Sequence, residues 1–382
     1  METTLNQQEI VYDDIGPEYV IKVYDPKLKF HATLVIDNTN LGLGKGGIRM
    51  TGSVSDVEVS RLARAMTFKN ALAGLPFGGA KSGIKVDPKG ISAKHKKEII
   101  QSFARIIRPL IPSKYIAGPD INTTEKEMQE FAEAHGLWES ATGKPANYCS
   151  SQGGKKRCGL PHELGSTGYG IALSTVAALK HLDINVTGAE IMIAGYGNVG
   201  VFAHKFLQER GAKIVAVNDT GGTMYDRKGI DFAKLSEVKQ KTGSVINYPG
   251  GKKLSREVIY ELSCDTLIPA ALPDIINETN VAKVKAKSIV EGANIPMREE
   301  YEKQLHKKDI LIIPDFLANA GGVISSYAEY KGFDAKKMFK LVEQKITENT
   351  AEVLGIVAKG TMTPRDAALK IAKKRVLEAK RK

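Results

Sequence analysis

The sequence predicts an α/β fold in two domains, and three observations carry that prediction. The chain has 382 residues, more than a single hydrophobic core usually serves. Strand-like apolar runs alternate with helix-like ones along most of its length. A stretch rich in Gly, Pro and Ser, "TGKPANYCSSQGGKKRCGLPHELGS", then breaks that rhythm as a loop or interdomain connection does. The expected boundaries are 1–160 and 161–345, with final helices at 346–382 packing back on the first domain.

In the first domain the runs "KFHATLVID" and "SGIKVD" read as strands, and "SDVEVSRLARAMTFKNAL" and "AKHKKEIIQSFARIIRPL" as helices. The second opens with the helical "TGYGIALSTVAALKHL". From about residue 189 it takes up the strand–loop–helix–strand rhythm of an open parallel sheet. "KIVAVND", "CDTLIP", "KSIVEGAN" and "ILIIPD" are its further strand candidates. Residues from Lys336 onward read as helical throughout, and "IAKKRVLEAKRK" as an amphipathic helix with Ile371, Val376 and Leu377 inward. No internal repeat interrupts the pattern.

Composition narrows the class. Hydrophobic residues at 42% and charged residues at 26% suit a soluble globular protein. No apolar run approaches the ~20 residues of a membrane span, and the start "METTLNQQEI" has neither a basic nor an apolar signal region, so the chain is expected in the cytoplasm with no membrane partner. Cys149, Cys158 and Cys264 fit no C-x-x-C pattern, so free thiols are expected rather than a disulfide framework. A metal held by Cys149, Cys158 and His162 is the weaker alternative, because structural zinc takes four ligands at tighter spacing. The net charge of +12 comes from lysines spread over the whole chain. That distribution argues against nucleic-acid binding and suits an acidic substrate.

"EIMIAGYGNVGVFAHKFLQERGAKIVAVND" sets Gly195, Gly197 and Gly200 in G-x-G-x-x-G spacing, with Asn198 and Val199 between them. A strand ends before this loop, a helix follows it, and Asp219 ends a second strand about twenty residues on, the context of a Rossmann-like dinucleotide site. The glycines let a pyrophosphate approach the helix amino terminus, where free N–H groups and the dipole favour an anion. Asp219 suits ribose hydroxyls and hence NAD, whereas Arg227 and Lys228 nearby suit the extra phosphate of NADP; both cofactors stay open.

Three lysines stand among glycines and apolar residues: Lys45 in "LGKGGIRM", Lys69 in "MTFKN" and Lys81 in "FGGAKSG". An ammonium removed from water costs several kcal/mol unless compensated, and a bound anion compensates. Mutual repulsion and desolvation are expected to depress at least one pKa and make a base near neutral pH. Asp120 follows the Gly-Pro turn of "YIAGPDINTTEKE", where it either caps the next helix or faces the lysines. "LANAGGVISSYAEY" adds Asn319 and Ser326 around a tight backbone feature.

These segments together resemble the glutamate, leucine, phenylalanine and valine dehydrogenase family, and within it the glutamate branch. "GKGGIRM", "MTFKNALAGLPFGGAKSG", "GPD", "TGKP", "STGYG", "GYGNVG", "VND", "IPAAL", "EGAN" and "NAGGV" occur in the family's order over nearly the whole chain. The resemblance implies a substrate domain followed by a nucleotide domain, an NAD(P)-dependent amino acid dehydrogenase of nitrogen metabolism, and a homo-oligomer, hexameric by analogy. It casts Lys69 as ligand of the α-carboxylate, Lys81 as the catalytic lysine and Asp120 as the proton-transfer carboxylate. Lys45 and Ser326 stand where glutamate enzymes grip the side-chain carboxylate, which implies reversible oxidative deamination of L-glutamate to 2-oxoglutarate and ammonia. Thr167 and Asn294 resemble residues at the nicotinamide end, and Asn319 one that orders the region between substrate and cofactor. A branched-chain or aromatic amino acid dehydrogenase, and an idle regulatory or nucleic-acid-binding paralogue, are the competing expectations. Tyr169 in place of the family's common Arg, Ser82 after Lys81, and the polar 147–163 loop depart from the pattern.

Overall fold

The computed structural model describes residues 9–152, 155–360 and 362–379. They form two compact units, each discontinuous in sequence. The first takes in the described residues up to Leu164, Val323–Met338, and those from Ile371 onward; the second comprises Gly165–Gly322 and Phe339–Lys370. No described helix is long and apolar enough to cross a membrane.

In the first unit β1 (Tyr19–Asp25), β2 (Phe30–Asn38), β3 (Gly44–Lys45), β4 (Ile48–Met50), α1 (Asp56–Leu72), β5 (Gly78–Ile84), α2 (Ala93–Ile106), β6 (Tyr115–Ile116) and α3 (Glu125–His135) follow in order. The sheet runs β1-β2-β5-β3-β6, with β4 also paired to β5. Alternation along β2 explains its two-sided burial. Leu34 and Ile36 join Ile99, Phe103 and Phe131 in one core, and Val35 joins Val59 and Ala63 of α1 in another. Every residue of β5 is buried, and glycine is what lets α1 lie this close: a Cβ at Gly79 would stand 2.1 Å from Thr67 Oγ1. Caps fix the helix starts; Ser55 Oγ accepts from Glu58 N at 3.1 Å, and Thr124 with Glu127 forms a capping box.

The segment expected as an irregular loop instead contains a two-stranded hairpin, β7 (Cys149–Gln152) with β8 (Lys155–Cys158). Its register sets Cys149 opposite Cys158, and the two are disulfide-bonded. The expectation of free thiols, and the alternative of a metal on these cysteines with His162, therefore fail at this pair; Cys264 is the free, buried one. Nine residues of sequence separation become direct neighbours only through strand pairing, which motif spacing does not encode.

The second unit begins with α4 (Ser166–His181), β9 (Glu190–Ala194), α5 (Asn198–Gln208), β10 (Lys213–Asp219), β11 (Gly222–Tyr225), α6 (Phe232–Thr242), β12 (Lys252–Leu254), β13 (Thr266–Pro269), β14 (Ser288–Val290), α7 (Glu299–His306), β15 (Leu311–Ile313) and α8 (Asp315–Ala318). Its sheet order is β12-β11-β10-β9-β13-β14-β15, parallel from β10 to β15, with β11 and β12 antiparallel at one edge. Met192, Val215, Leu267, Ile289 and Ile312 build its core. This is the Rossmann-like parallel sheet the sequence predicts.

Helix α9 (Gly321–Tyr330) is followed by α10 (Ala335–Val357) and α11 (Pro364–Ala379). The continuous helix expected from Lys336 is thus broken: Gly360 takes φ +77°, and Pro364 suits only the first turn of a new helix. Ile371 and Val376 are buried as expected, but Leu377 is 39% exposed. Tyr169 packs in an aromatic cluster, 4.8 Å from Phe206 and 5.2 Å from Phe339 between ring centroids, with the Arg210 guanidinium over its ring. Here the tyrosine fills space within the second unit.

Candidate active site

The first unit gathers its ionisable groups where β3, β4, β5 and the turn after β6 run side by side. Lys81 Nζ lies 3.1 Å from Asp120 Oδ1, and Arg49 Nε on β4 donates to Asp120 Oδ2 at 2.7 Å. Arg49 is in turn anchored by Glu58 of α1 at 2.6 Å. Burial lowers the Lys81 ammonium below its usual range; Asp120 opposes that shift and Arg49 reinforces it. Burial pushes the Asp120 carboxyl up, but Lys81 and Arg49 outweigh it and hold the group below the carboxylate range. A base poised by burial beside an ionised acid is the pairing that proton transfer needs. Ser82 serves the framework: its hydroxyl donates to Tyr115 Oη at 3.0 Å, and Tyr115 donates to the Gly46 carbonyl at 3.0 Å. Three segments of the site are tied by that one relay.

Lys45, only 3% exposed, donates to the Ala117 carbonyl at 2.8 Å. Burial drives its pKa down to about 7; Glu329 opposes, while Lys144 and Lys81 add to the fall. Repulsion among lysines is thus real, as expected, but secondary to desolvation. Lys69 lies half-buried in the last turn of α1. Lys45 and Lys69 both help burial lower the His162 pKa, which places the three groups in one electrostatic neighbourhood. Ser326 is buried on α9, one turn before Glu329.

Glu329 holds that helix in place. It accepts from Gly143 N at 2.7 Å and Leu160 N at 2.8 Å, and pairs with Lys144 Nζ at 2.6 Å, both side chains fully buried. The Lys144 ammonium also lies 3.7 Å from the Trp138 ring centroid. Removing one partner of a buried ion pair strands the other charge, so Glu329→Ala is expected to cost about 3–5 kcal/mol, read as a lower urea midpoint. Sequence motifs alone do not mark Arg49, Lys144, Glu329 or His162 as members of this site. Nor do they mark Thr142, whose buried Oγ1 has no partner and stands near Lys45, since a Cβ at Gly118 would lie 2.4 Å from Lys45 Nζ and 3.9 Å from Thr142 Oγ1. Of these, Arg49 falls inside "GKGGIRM" and Thr142 and Lys144 inside "TGKP", and that company is the signal that could have found them.

The dinucleotide loop lies in the second unit, at the carboxyl end of β9. Gly195 takes φ +111°, its N–H donates to Asn218 Oδ1 at 2.7 Å, and a Cβ at Gly200 would stand 2.1 Å from the Gly195 carbonyl oxygen. At Gly197 no heavy atom lies within 4 Å of a Cβ position, and no side chain caps α5 there. An open approach to an uncapped helix start, with Asn198 and Val199 in its first turn, fits a pyrophosphate. Tyr196 Oη bonds His204 Nδ1 at 2.7 Å and pins the loop from beneath; burial lowers that histidine to about 4.

Asp219 ends β10 as the motif requires, but its carboxylate is already engaged. Gly221 N and Ser244 Oγ donate to Oδ1, and Lys239 Nζ and Val245 N to Oδ2, at 2.8–2.9 Å. Asn294 and Asn319 are brought together, Asn319 Nδ2 donating to Asn294 Oδ1 at 2.9 Å. Thr167 adjoins them through Gly321, where a Cβ would stand 3.2 Å from Thr167 Cα.

Comparison with known proteins accords with both units. Residues 159–382 match the family model of the glutamate/leucine/phenylalanine/valine dehydrogenases, and residues 17–135 match the dimerisation domain of the same enzymes. A glutamate dehydrogenase of Aeropyrum pernix is 41% identical over 90% of this chain and 84% of its own. An NADP-specific glutamate dehydrogenase of Saccharolobus shibatae is 42% identical over 82% of this chain and 75% of its own. The crystal structure of the hetero-hexameric glutamate dehydrogenase of Thermus thermophilus superposes with a TM-score of 0.83 at 27% identity, covering 96% of this chain and 89% of that one. Matches of this breadth, falling on the residues that form the lysine–aspartate pair and the glycine turn, establish that the chain belongs to the glutamate/leucine/phenylalanine/valine dehydrogenase family of NAD(P)-dependent amino acid dehydrogenases.

Proposed function

We propose that the amino acid is L-glutamate, deaminated reversibly to 2-oxoglutarate and ammonia. The observation that carries this reading is Lys45, an ammonium only 3% exposed that donates to a neutral carbonyl. A neutral aliphatic substrate gives that charge nothing, whereas a side-chain carboxylate compensates its burial. Ser326 supplies a second donor, and Lys69 takes the α-carboxylate.

When bound on the Gly195–Gly200 turn, the nicotinamide cofactor supplies the acceptor for hydride from the glutamate Cα. Lys81, its ammonium pKa lowered by burial, takes a proton from the attacking water and as ammonium then steadies the carbinolamine oxygen. Asp120, ionised between Lys81 and Arg49, carries protons to and from the departing nitrogen. Asn294 and Asn319 brace the nicotinamide end. A homo-oligomer, with six subunits as in the Thermus relative, completes the reading.

For the cofactor we favour NADP, because Lys239 and Ser244 already occupy the Asp219 carboxylate that would otherwise take the ribose hydroxyls, and leave an ammonium and a hydroxyl beside it. Lys239→Ala is expected to raise KM for NADP about tenfold or more, the worth of one charged hydrogen bond, and to leave that for NAD nearly unchanged. The assignment of substrate is tested by following cofactor absorbance with a panel of 2-oxo acids and ammonia, using each reduced nicotinamide in turn. Faster turnover of 2-oxopentanoate or 2-oxoisocaproate than of 2-oxoglutarate overturns it.

A further inference from the structure

Ile295 has φ +50°, a left-handed backbone that a β-branched side chain rarely takes because its Cβ crowds the carbonyl oxygen. Strain of this kind persists only where the surroundings over-determine it. Here the restraint is explicit. Ile295 N donates to Asp315 Oδ2 at 2.9 Å. The other oxygen of that carboxylate, Oδ1, accepts from an Arg365 terminal nitrogen at 3.2 Å.

Arg365 stands just inside the start of α11 and grips more than Asp315. Its Nε donates to both oxygens of Glu302 at 2.7 and 2.8 Å, and a terminal nitrogen donates to Glu291 Oε2 at 2.8 Å. Glu291 Oε2 also accepts from Asp315 N at 2.8 Å, so the guanidinium, Glu291 and Asp315 close a ring of contacts. Burial, then the neighbouring Glu302, lifts the Glu291 carboxyl well above its usual range.

The turn so held follows β14 at the carboxyl edge of the parallel strands, where open α/β sheets place their ligands. Gly292 N and Ala293 N both donate to the Pro269 carbonyl, at 3.0 and 2.8 Å. Two residues past Pro269, Ala271 lies against the dinucleotide loop, 2.6 Å from where a Cβ at Gly195 would stand. Asn294 sits between the braced glycine and the strained isoleucine, with its side chain bonded to Asn319.

We propose that Arg365 is a positioning residue for the cofactor: through Asp315 it holds Ile295 in the left-handed conformation, and so fixes the turn that presents Asn294. This rests on the assignment of Asn294 to the nicotinamide end. Arg365 grips the carboxylates of Glu291, Glu302 and Asp315. It acts through a backbone amide.

The test uses the full-length enzyme and two readouts besides turnover: cofactor affinity from the fluorescence of bound reduced nicotinamide, and hydrogen exchange of the peptide containing Ile295. Arg365→Met is expected to raise cofactor Kd about tenfold or more, the scale on which a remote displacement is felt at a site, with KM for the amino acid little changed. The Ile295 amide should exchange about tenfold faster. Because glycine adopts φ +50° without strain, adding Ile295→Gly should bring Kd back to within about threefold of wild type, which a general loss of stability would not allow. Should Arg365→Met fail to fold, Arg365→Lys keeps the buried charge without the second arm for Asp315 and should show the same pattern more weakly. Unchanged affinity in a folded Arg365 variant, or no rescue by Ile295→Gly, overturns the proposal. Asn294→Ala separates the two readings: if it binds cofactor like wild type, the role of Asn294 falls, while amide exchange at Ile295 still reads the clamp.

Discussion

Lys81→Met is expected to lower kcat for oxidative deamination about a thousandfold to ten-thousandfold, the range that a positioned acid–base group contributes, with the fold and cofactor affinity kept. The reason lies in the environment of that amine: it is buried on β5 and paired with Asp120 at 3.1 Å. Asp120→Asn gives the finer test. Asp120 is the largest influence opposing the downward shift of the Lys81 pKa, so removing its charge must lower that pKa further. The limb of the pH profile of kcat/KM that reports deprotonation of the base therefore moves to lower pH, even as kcat falls for want of the proton carrier. A shift toward higher pH, or a Lys81→Met enzyme within about tenfold of wild type, contradicts the assigned roles.

Lys45→Leu is expected to redirect the enzyme. Its kcat/KM for glutamate should fall about a thousandfold or more, since a buried carboxylate is left without its counter-charge, whereas that for norvaline should change less than about tenfold. Equal losses refute the role given to Lys45. The pKa of about 7 adds a pH signature whose sign is fixed. Below pH 7 the amine of the free enzyme is charged and ready for a carboxylate; above it the amine is mostly neutral, and a bound carboxylate pulls its pKa back up. Glutamate binding at pH 8 should therefore take up a proton, and its KM should rise with pH, while norvaline shows neither effect. Calorimetry in buffers of different ionisation enthalpy counts that proton.

Much of this is legible in the sequence because glycine and lysine carry positional meaning. The glycine turn announces itself by spacing, and Lys45, Lys81 and Asp120 by charges set in apolar, glycine-rich company; all three sit in the first unit, with Asp120 bonded to Lys81. What stays hidden depends on partners far along the chain. Glu329 contacts Gly143 across 186 residues, and nothing local to "SYAEY" marks its glutamate as a fully buried anchor. The Cys149–Cys158 pair requires the register of a hairpin whose residues are polar on both faces, so no apolar alternation betrays it. A strand end marks Asp219; that Lys239 and Ser244 already hold its oxygens follows from the packing of α6 and its following turn. The break between α10 and α11 shows the opposite case, for Gly360 and Pro364 stand in plain view, and their local preference overrides the helical periodicity on either side.

Because each unit draws on two or more separated stretches of sequence, the order of synthesis matters. A ribosome that has released the first 164 residues has delivered neither Ser326 nor Glu329, so the lysine cluster waits for them through the making of the whole intervening sheet. That sheet in turn waits for Phe339–Lys370. Nascent chains stalled before this tail should be caught by chaperones and proteases with both halves unfinished, and maturation should come late and nearly at once for the two.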